Sequence, residues 1–355
     1  MTDSISPIIH PMSLGELLDR AIRLYRQNFL KFIGIFAIPY IPLALIQTAI
    51  QVFTTTSTFR TSVNGNPSDI FSSPGWITAS AGTFLVVFVQ FIFVQGVATA
   101  ALTRAVANNY TGKPVGILDS YRTLSTSWLK LILALILVFI LVIILSIWTI
   151  IPCVGWFSGP GILFFIGLVV NPLIPPVISL ENGDVFHSIR RAWDLARSRF
   201  WWLVGCALVL AVFGWLLVSG PVLLMNWLMT YALSSLTTSV EIQLAITTII
   251  QTLITMLMSL LYVPLKLTIM TVVYFDLRTR SEGLDIALQL STSQATENNV
   301  VSLPEITTKT SAPLITGIDI GRFALLSFAG IALYGLLIGA IFVLFGLLGL
   351  ASSGF

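Results

Sequence analysis

Residues 129–151 read LKLILALILVFILVIILSIWTII, and this stretch decides the class of fold. Its only charged residue is Lys130, next to its start. A run of about 20 apolar residues is long enough to cross the hydrocarbon core of a bilayer, roughly 30 Å, as an α-helix. The stretch therefore predicts a transmembrane helix.

Similar runs fill most of the 355-residue chain. Its residues are 56% hydrophobic and 9% charged, and the mean hydropathy is +0.95, far from the composition of a soluble domain. Apolar runs occur at 29–52, 76–103, 129–151, 159–180, 200–227, 244–275 and 323–350. We expect an all-α, polytopic membrane helix bundle with about seven transmembrane helices.

Basic residues are distributed unevenly around these runs. With the N-terminus inside, all but two of the 18 Lys and Arg residues fall on inner segments; the exceptions are Arg60 in an outer loop and Lys266 within a span. Loops rich in Lys and Arg stay on the cytoplasmic side of a membrane. The pattern predicts a multi-pass protein of the bacterial cytoplasmic membrane with a cytoplasmic N-terminus and an external C-terminus.

An amphipathic helix is predicted before the first span, and its pattern returns before the fifth. One face of this helix carries Leu14, Leu18, Ala21, Ile22, Tyr25 and Phe29. Residues at six positions are identical 171 positions later, in the pairs Arg20/Arg191, Ala21/Ala192, Leu24/Leu195, Arg26/Arg197, Phe29/Phe200 and Gly34/Gly205. We infer an internal repeat of an inner-surface amphipathic helix and a two-span hairpin, with copies at 13–113, 114–183 and 184–285.

Two stretches resemble a known bacterial family. They are MSLGELLDRAIRLYRQNF at 12–29 and YFDLRTRSEGLD at 274–285. Together they are similar to the glycerophosphoryl diester phosphodiesterase membrane domain family, over about residues 11–285. The catalytic barrel that names this family would need His and acidic ligands for a divalent metal, and the chain has only His10 and His187. The resemblance implies the membrane part alone, without phosphodiesterase activity or a cofactor.

Other segments flank the six-span membrane domain at 13–285. We expect an N-terminal arm at 1–12, a flexible cytoplasmic linker at 286–317 and a seventh transmembrane helix with the C-terminus at 318–355. Gly335 and Gly339 in this last segment have GxxxG spacing, which lets helices approach closely. They predict a helix–helix interface with a second copy of the chain or with another membrane protein. The alternative is that they pack against helices of the same bundle.

Three polar residues are predicted at matching depths in their spans. Lys266 lies near mid-membrane, where a charge costs at least roughly 2.5 kcal/mol. Gln95 occupies the repeat-equivalent position, and Asn171 lies at a similar depth. They form a candidate polar intramembrane site for a headgroup, an anion or a small solute. The alternative is that the amides join helices while Lys266 extends toward the surface.

Basic residues of the two surface helices are the candidate lipid contacts. They are Arg20, Arg23, Arg26, Arg190, Arg191 and Arg197. Arginines at such a surface attract anionic headgroups, although positive charge on this side also serves topology alone.

Three functional hypotheses remain. The sequence has no P-loop, GxSxG or HExxH motif, and its basic residues follow membrane boundaries, which gives nucleic-acid binding no support. We therefore expect a non-enzymatic membrane component or organiser that interacts with membrane lipids or partner proteins. The alternative is a transporter or lipid-handling protein using the polar intramembrane site. A third hypothesis, a lipid enzyme, requires acids such as Asp194 or Asp276 to converge near Glu16.

Overall fold

The computed structural model describes residues 12–64, 74–110, 116–122, 124, 127–151, 154–181, 183–234, 239–283, 313 and 315–332. The N-terminal arm before residue 12, most of the predicted linker and the two candidate packing glycines, Gly335 and Gly339, lie outside the described residues. All regular secondary structure in the described part of the chain is helical, which confirms the all-α class.

The helices are numbered in chain order. They are α1 (Leu14–Gln27), α2 (Phe29–Asn64), α3 (Pro74–Gln90), a π-helical segment (Phe91–Ala98), α4 (Thr99–Tyr110), α5 (Ile117–Arg122), α6 (Ser127–Trp148), α7 (Val154–Phe165), a second π-helical segment (Ile166–Val170), α8 (Asn171–Glu181), α9 (Val185–Ser198), α10 (Phe200–Ser234), α11 (Val240–Glu282) and α12 (317–332).

Six helical stretches in the described part of the chain are long and apolar enough to cross a membrane. They are Phe29–Arg60, Trp76–Tyr110, Ser127–Trp148, Val154–Glu181, Phe200–Met229 and Val240–Glu282. The predicted seventh span, 323–350, is described only as far as residue 332, where it is helical. A seventh span therefore stays a prediction.

The chain folds into two compact units. The larger unit comprises the described residues of Met1–Ala134 and Pro172–Glu305, and α11 packs in it against α1, α2, α4 and α10. Its core includes Phe36, Val94, Ala98 and Leu260. In the smaller unit, Leu135–Asn171 and Ile306–Phe355, α12 packs on α7: the backbone N–H of Gly161 donates to the Ser327 hydroxyl at 2.7 Å.

The helix α1 starts at a capping box. The Ser13 hydroxyl accepts from the backbone N–H of Glu16 at 3.4 Å, and the Glu16 carboxylate accepts from the backbone N–H of Ser13 at 2.8 Å. Reciprocal bonds of this kind satisfy N–H groups that the first helical turn leaves without partners. They fix the residue at which α1 begins.

The buried side of α1 differs in part from the predicted apolar face. Leu17, Ala21 and Tyr25 are buried, whereas the predicted face omitted Leu17 and included Ile22 and Phe29, which are exposed. Helix α1 packs on α11, and the buried side of α1 is the one that carries Leu17, Ala21 and Tyr25. Ile22 and Phe29 are left to face the surroundings of the protein.

Candidate functional site

The segment before α1 is fixed to the C-terminal end of α11. One oxygen of the buried Asp276 carboxylate accepts from the backbone N–H of Met12 at 2.8 Å. The other accepts from Nε of Arg280 at 2.9 Å, and the same guanidinium donates to the Met12 carbonyl at 2.6 Å. Hydrogen bonds to ionised groups are stronger than neutral ones. These three residues, which we call the α1 latch, set the position of α1.

Aromatic residues extend the contact of α1 with its neighbours. The Arg20 guanidinium lies 4.6 Å from the centre of the Tyr110 ring, which stacks on Phe275 at 4.9 Å. The Tyr25 hydroxyl donates to the Leu261 carbonyl at 3.0 Å. Burial raises the pKa of Tyr25 to about 12, so this hydroxyl stays protonated and remains a donor at neutral pH.

A second group of charged residues joins α8, α9 and α11. Arg191 forms ion pairs with Glu181, at 3.2 Å, and with Glu282. Arg278 donates to Glu282 at 2.9 Å, and the Tyr274 hydroxyl donates to Glu181 at 2.7 Å. The two Arg and two Glu residues balance in charge, as groups removed from water must. We call these five residues the buried ion network.

Two further cations donate to the C-terminal end of α8. Arg104 donates to the Ser179 carbonyl at 3.2 Å and to the Ser127 hydroxyl at 2.8 Å. Lys130 donates to the Gly183 carbonyl at 3.2 Å. The last carbonyls of a helix lack intrahelical partners and favour nearby cations. With the α1 latch and the buried ion network, these contacts make one end of the larger unit polar, and we call it the polar end.

The three candidate lipid contacts on α1 differ in their surroundings. Arg20 faces Tyr110 and is half-buried. Arg23 is exposed and pairs with Asp19 at 2.8 Å. Arg26 is exposed and has no ion pair within the described residues. Arg23 and Arg26 are therefore the α1 arginines that a lipid headgroup could reach.

The corresponding arginines on α9 are largely engaged by acidic residues of the protein. Arg190 and Arg197 lie on either side of Asp194, at 3.3 and 3.9 Å. Arg191 is buried in the ion network, although the sequence pattern placed it among the headgroup contacts. These three side chains stabilise α9 and its contact with α11.

The three candidate intramembrane residues are divided between the two units. Gln95 and Lys266 belong to the larger unit and Asn171 to the smaller one. Gln95 is exposed in the first π-helical segment, and Lys266 is half-buried without a hydrogen-bond or ion-pair partner among the described residues. The buried side-chain oxygen of Asn171 likewise has no partner there.

Gln95 borders a cleft of about 390 Å³ in the larger unit. The described residues that line it are Phe36, Tyr40, Val87, Gln90, Phe91, Val94, Gln95, Ser259 and Val263. Lys266 is not among them. The sequence pattern therefore identified Gln95, and it missed Tyr40 and Ser259 because neither stands out within an apolar run.

The acidic residues of the polar end were also missed as a group. Asp276 and Glu282 both fall in the stretch 274–285 that carries the family resemblance, and Asp276 also entered the lipid-enzyme hypothesis. The structure brings that stretch into contact with the stretch at 12–29 through Met12 and Asp276. The Glu16 carboxylate accepts from the backbone N–H of Ser13 at the start of α1.

The six apolar helices define a multi-pass membrane protein. Within the described residues, His, Cys, Asp and Glu side chains form no group of three or more that could hold a metal ion. No protein-family model matches the chain, and comparisons with curated proteins and with solved structures also give no match.

Proposed function

We propose that the protein is a non-enzymatic organiser of the bacterial cytoplasmic membrane that binds anionic lipid headgroups through α1. The observation that carries this proposal is the α1 latch, because it holds α1 against α11 with Arg23 and Arg26 exposed. A helix fixed in this way presents its charges in one orientation, so little ordering entropy is lost when a ligand binds.

The exposed side of α1 has the size and charge for a headgroup. A groove of about 510 Å³ is lined by Asp19, Ile22, Arg23, Arg26 and Gln27. Ile22 is 43% exposed, which gives the groove an apolar contact beside its cations. Amphipathic helices with this combination lie in the plane of the membrane interface. Anionic lipids of the inner leaflet are the ligands that fit.

The orientation proposed from the sequence places the polar end in the cytoplasm. At the ends of α2 and α11 that lie away from the polar end, Arg60 forms an ion pair with Glu241. The polar end holds most of the described basic residues, and positive residues favour the cytoplasmic side. With seven spans, the C-terminus then lies outside.

The proposed repeat has support in the burial pattern. Leu17, Ala21 and Phe32 are buried, and so are Ser188, Ala192 and Leu203, which lie 171 positions later. The pairs Ile35/Cys206 and Phe36/Ala207 follow the same rule. Equivalent positions are expected to share burial if α1 with α2 and α9 with α10 are copies of one unit. The proposed resemblance to the glycerophosphoryl diester phosphodiesterase membrane domain family covers this same region.

The non-enzymatic part of the proposal rests on how the acids at the polar end are used. Asp276 binds Met12 and Arg280, while Glu181 and Glu282 bind arginines. A general acid or base needs access to a substrate proton, and these carboxylates already accept from the protein itself. Their arrangement serves to hold helices together.

Titration with phosphatidylglycerol tests the headgroup site. The Arg26→Gln variant should bind phosphatidylglycerol about 5-fold more weakly than the unmodified protein in native mass spectrometry, because each such cation contributes about 1 kcal/mol. Arg122→Gln is the matched control, since Arg122 is also exposed but lies on α5, away from the groove. Equal affinities of the two variants, or binding unaffected by Arg26→Gln, would contradict the proposal.

A further inference from the structure

The cleft bordered by Gln95 lies deep within the spans. Ser259 is near the middle of α11, about 20 residues from either end, or roughly 30 Å at 1.5 Å per residue. Gln95 occupies a similar middle position between Trp76 and Tyr110. Val87 and Gln95 on its border are exposed, so the cleft opens on the side of the protein. In a membrane, molecules reach such an opening from the bilayer.

The described lining of the cleft carries no charge but several hydrogen-bonding groups. Phe36, Val87, Phe91, Val94 and Val263 are apolar, whereas the polar groups come from Tyr40, Gln90, Gln95 and Ser259. A charged ligand would find no counterion there, and ions are costly at this depth. A hydrocarbon chain alone would leave the polar groups unmatched.

Three of these polar groups are available to form hydrogen bonds with a ligand. The Gln90 amide donates to Gln47 at 2.8 Å. By contrast, the Tyr40 hydroxyl, the Gln95 amide and the Ser259 hydroxyl have no hydrogen-bond partner among the residues that the structure describes. Polar groups without partners are unfavourable in hydrocarbon because no water is present to satisfy them. A ligand that supplies an acceptor or a donor would remove this cost.

We propose that this cleft binds a neutral lipid of the diacylglycerol class. Its ester carbonyls accept from the Gln95 amide and the Tyr40 hydroxyl, and its free hydroxyl donates to the Gln95 carbonyl or to Ser259. Its acyl chains lie along the apolar side chains and continue into the bilayer. The cleft volume of about 390 Å³ is within the range of small-ligand sites and suits the glycerol region with the first part of the chains.

The π-helical segment beside the cleft is part of this site. It runs from Phe91 to Ala98, and the Thr99 hydroxyl donates to the carbonyl of Val94, five residues earlier, at 3.0 Å. Short π-helical segments frequently occur at functional sites. Gln95 lies within this segment and lines the cleft.

Photocrosslinking tests the location of the site. The full-length protein in phosphatidylcholine nanodiscs is labelled with a diacylglycerol that carries a diazirine in one acyl chain. Val87→Trp fills the cleft and should lower labelling at least 5-fold. Leu85→Trp is the matched control on the same helix, because Leu85 is exposed but does not line the cleft. Equal labelling of the two variants would overturn the proposal.

A second pair of variants tests the chemistry. Gln95→Leu removes the amide from an exposed position and should lower labelling about 5-fold. Gln51→Leu, which removes a glutamine that accepts from Thr252 outside the cleft, should leave labelling unchanged. Excess unlabelled diacylglycerol should compete, and phosphatidylglycerol should not. Unchanged labelling of Gln95→Leu, or equal competition by phosphatidylglycerol, would overturn the assignment. None of these variants alters the groove on α1.

Discussion

The sequence positions of the charged residues at the polar end do not show which residues they bind. Sequence spacing placed Arg191 on a helix face beside the membrane, but the structure buries it between Glu181 and Glu282. Helical periodicity identifies residues that share a face of one helix. It contains no information about which residue of another helix lies opposite, so these pairs could not be predicted.

Glu282→Gln tests the buried ion network. The Glu282 side chain is 1% exposed and binds both Arg191 and Arg278. Removing one partner from buried charges costs about 3–5 kcal/mol, because the remaining ions are left without compensation. We expect a loss of this size in the free energy of unfolding, measured by chemical denaturation in detergent.

The control breaks an ion pair at the surface. Asp19 and Arg23 have side chains that are 69% and 70% exposed, and such pairs contribute about 0–1 kcal/mol. Asp19→Asn should therefore change the unfolding free energy by less than about 1 kcal/mol. Similar losses in the two variants would mean that the buried ion network does not stabilise the fold.

At the scale of helices, apolar runs were sufficient to predict six helices that are long and apolar enough to span a membrane, but not their details. The run at 244–275 lies within α11, which continues to Glu282; beyond the run, Asp276, Arg278 and Arg280 bond to other residues of the protein. The π-helical segments could not be predicted, since they leave apolar composition unchanged. The helices α1 and α9 were predicted correctly as elements separate from the long apolar helices that follow them.

Close approach of α10 and α11 depends on Gly214. A Cβ at this position would collide with the Tyr262 ring, whose hydroxyl donates to the Leu210 carbonyl at 2.7 Å. Gly214→Ala should lower the free energy of unfolding by about 1–3 kcal/mol, as overpacking does. The measurement is thermal unfolding of the purified protein in detergent.

Gly205 on the same helix provides the comparison. A Cβ there has no atom within 4 Å in the described structure, and alanine favours a helix by up to about 1 kcal/mol over glycine. Gly205→Ala should leave stability unchanged or raise it slightly. If Gly214→Ala behaved in the same way, the seam between α10 and α11 would not require a glycine.

At the scale of the whole molecule, the number and direction of spans determine which surface meets the cytoplasm. Alkaline phosphatase requires the oxidising periplasm to form its disulfides. Fused after Gly283, it should be inactive, and fused after Phe355 it should be active, because one more span separates the two positions in the proposed topology. Green fluorescent protein at the same sites should give the opposite pattern. Equal phosphatase activity at both sites would contradict the seventh span.

The bond between Met12 and Asp276 has a consequence for the order of events during synthesis. The two residues are 264 positions apart. At about 5–20 residues per second, a ribosome needs roughly 10–50 s to proceed from one to the other. Throughout this interval α1 lacks its partner on α11. We therefore expect the newly made N-terminal segment to remain open to proteases until translation has passed α11.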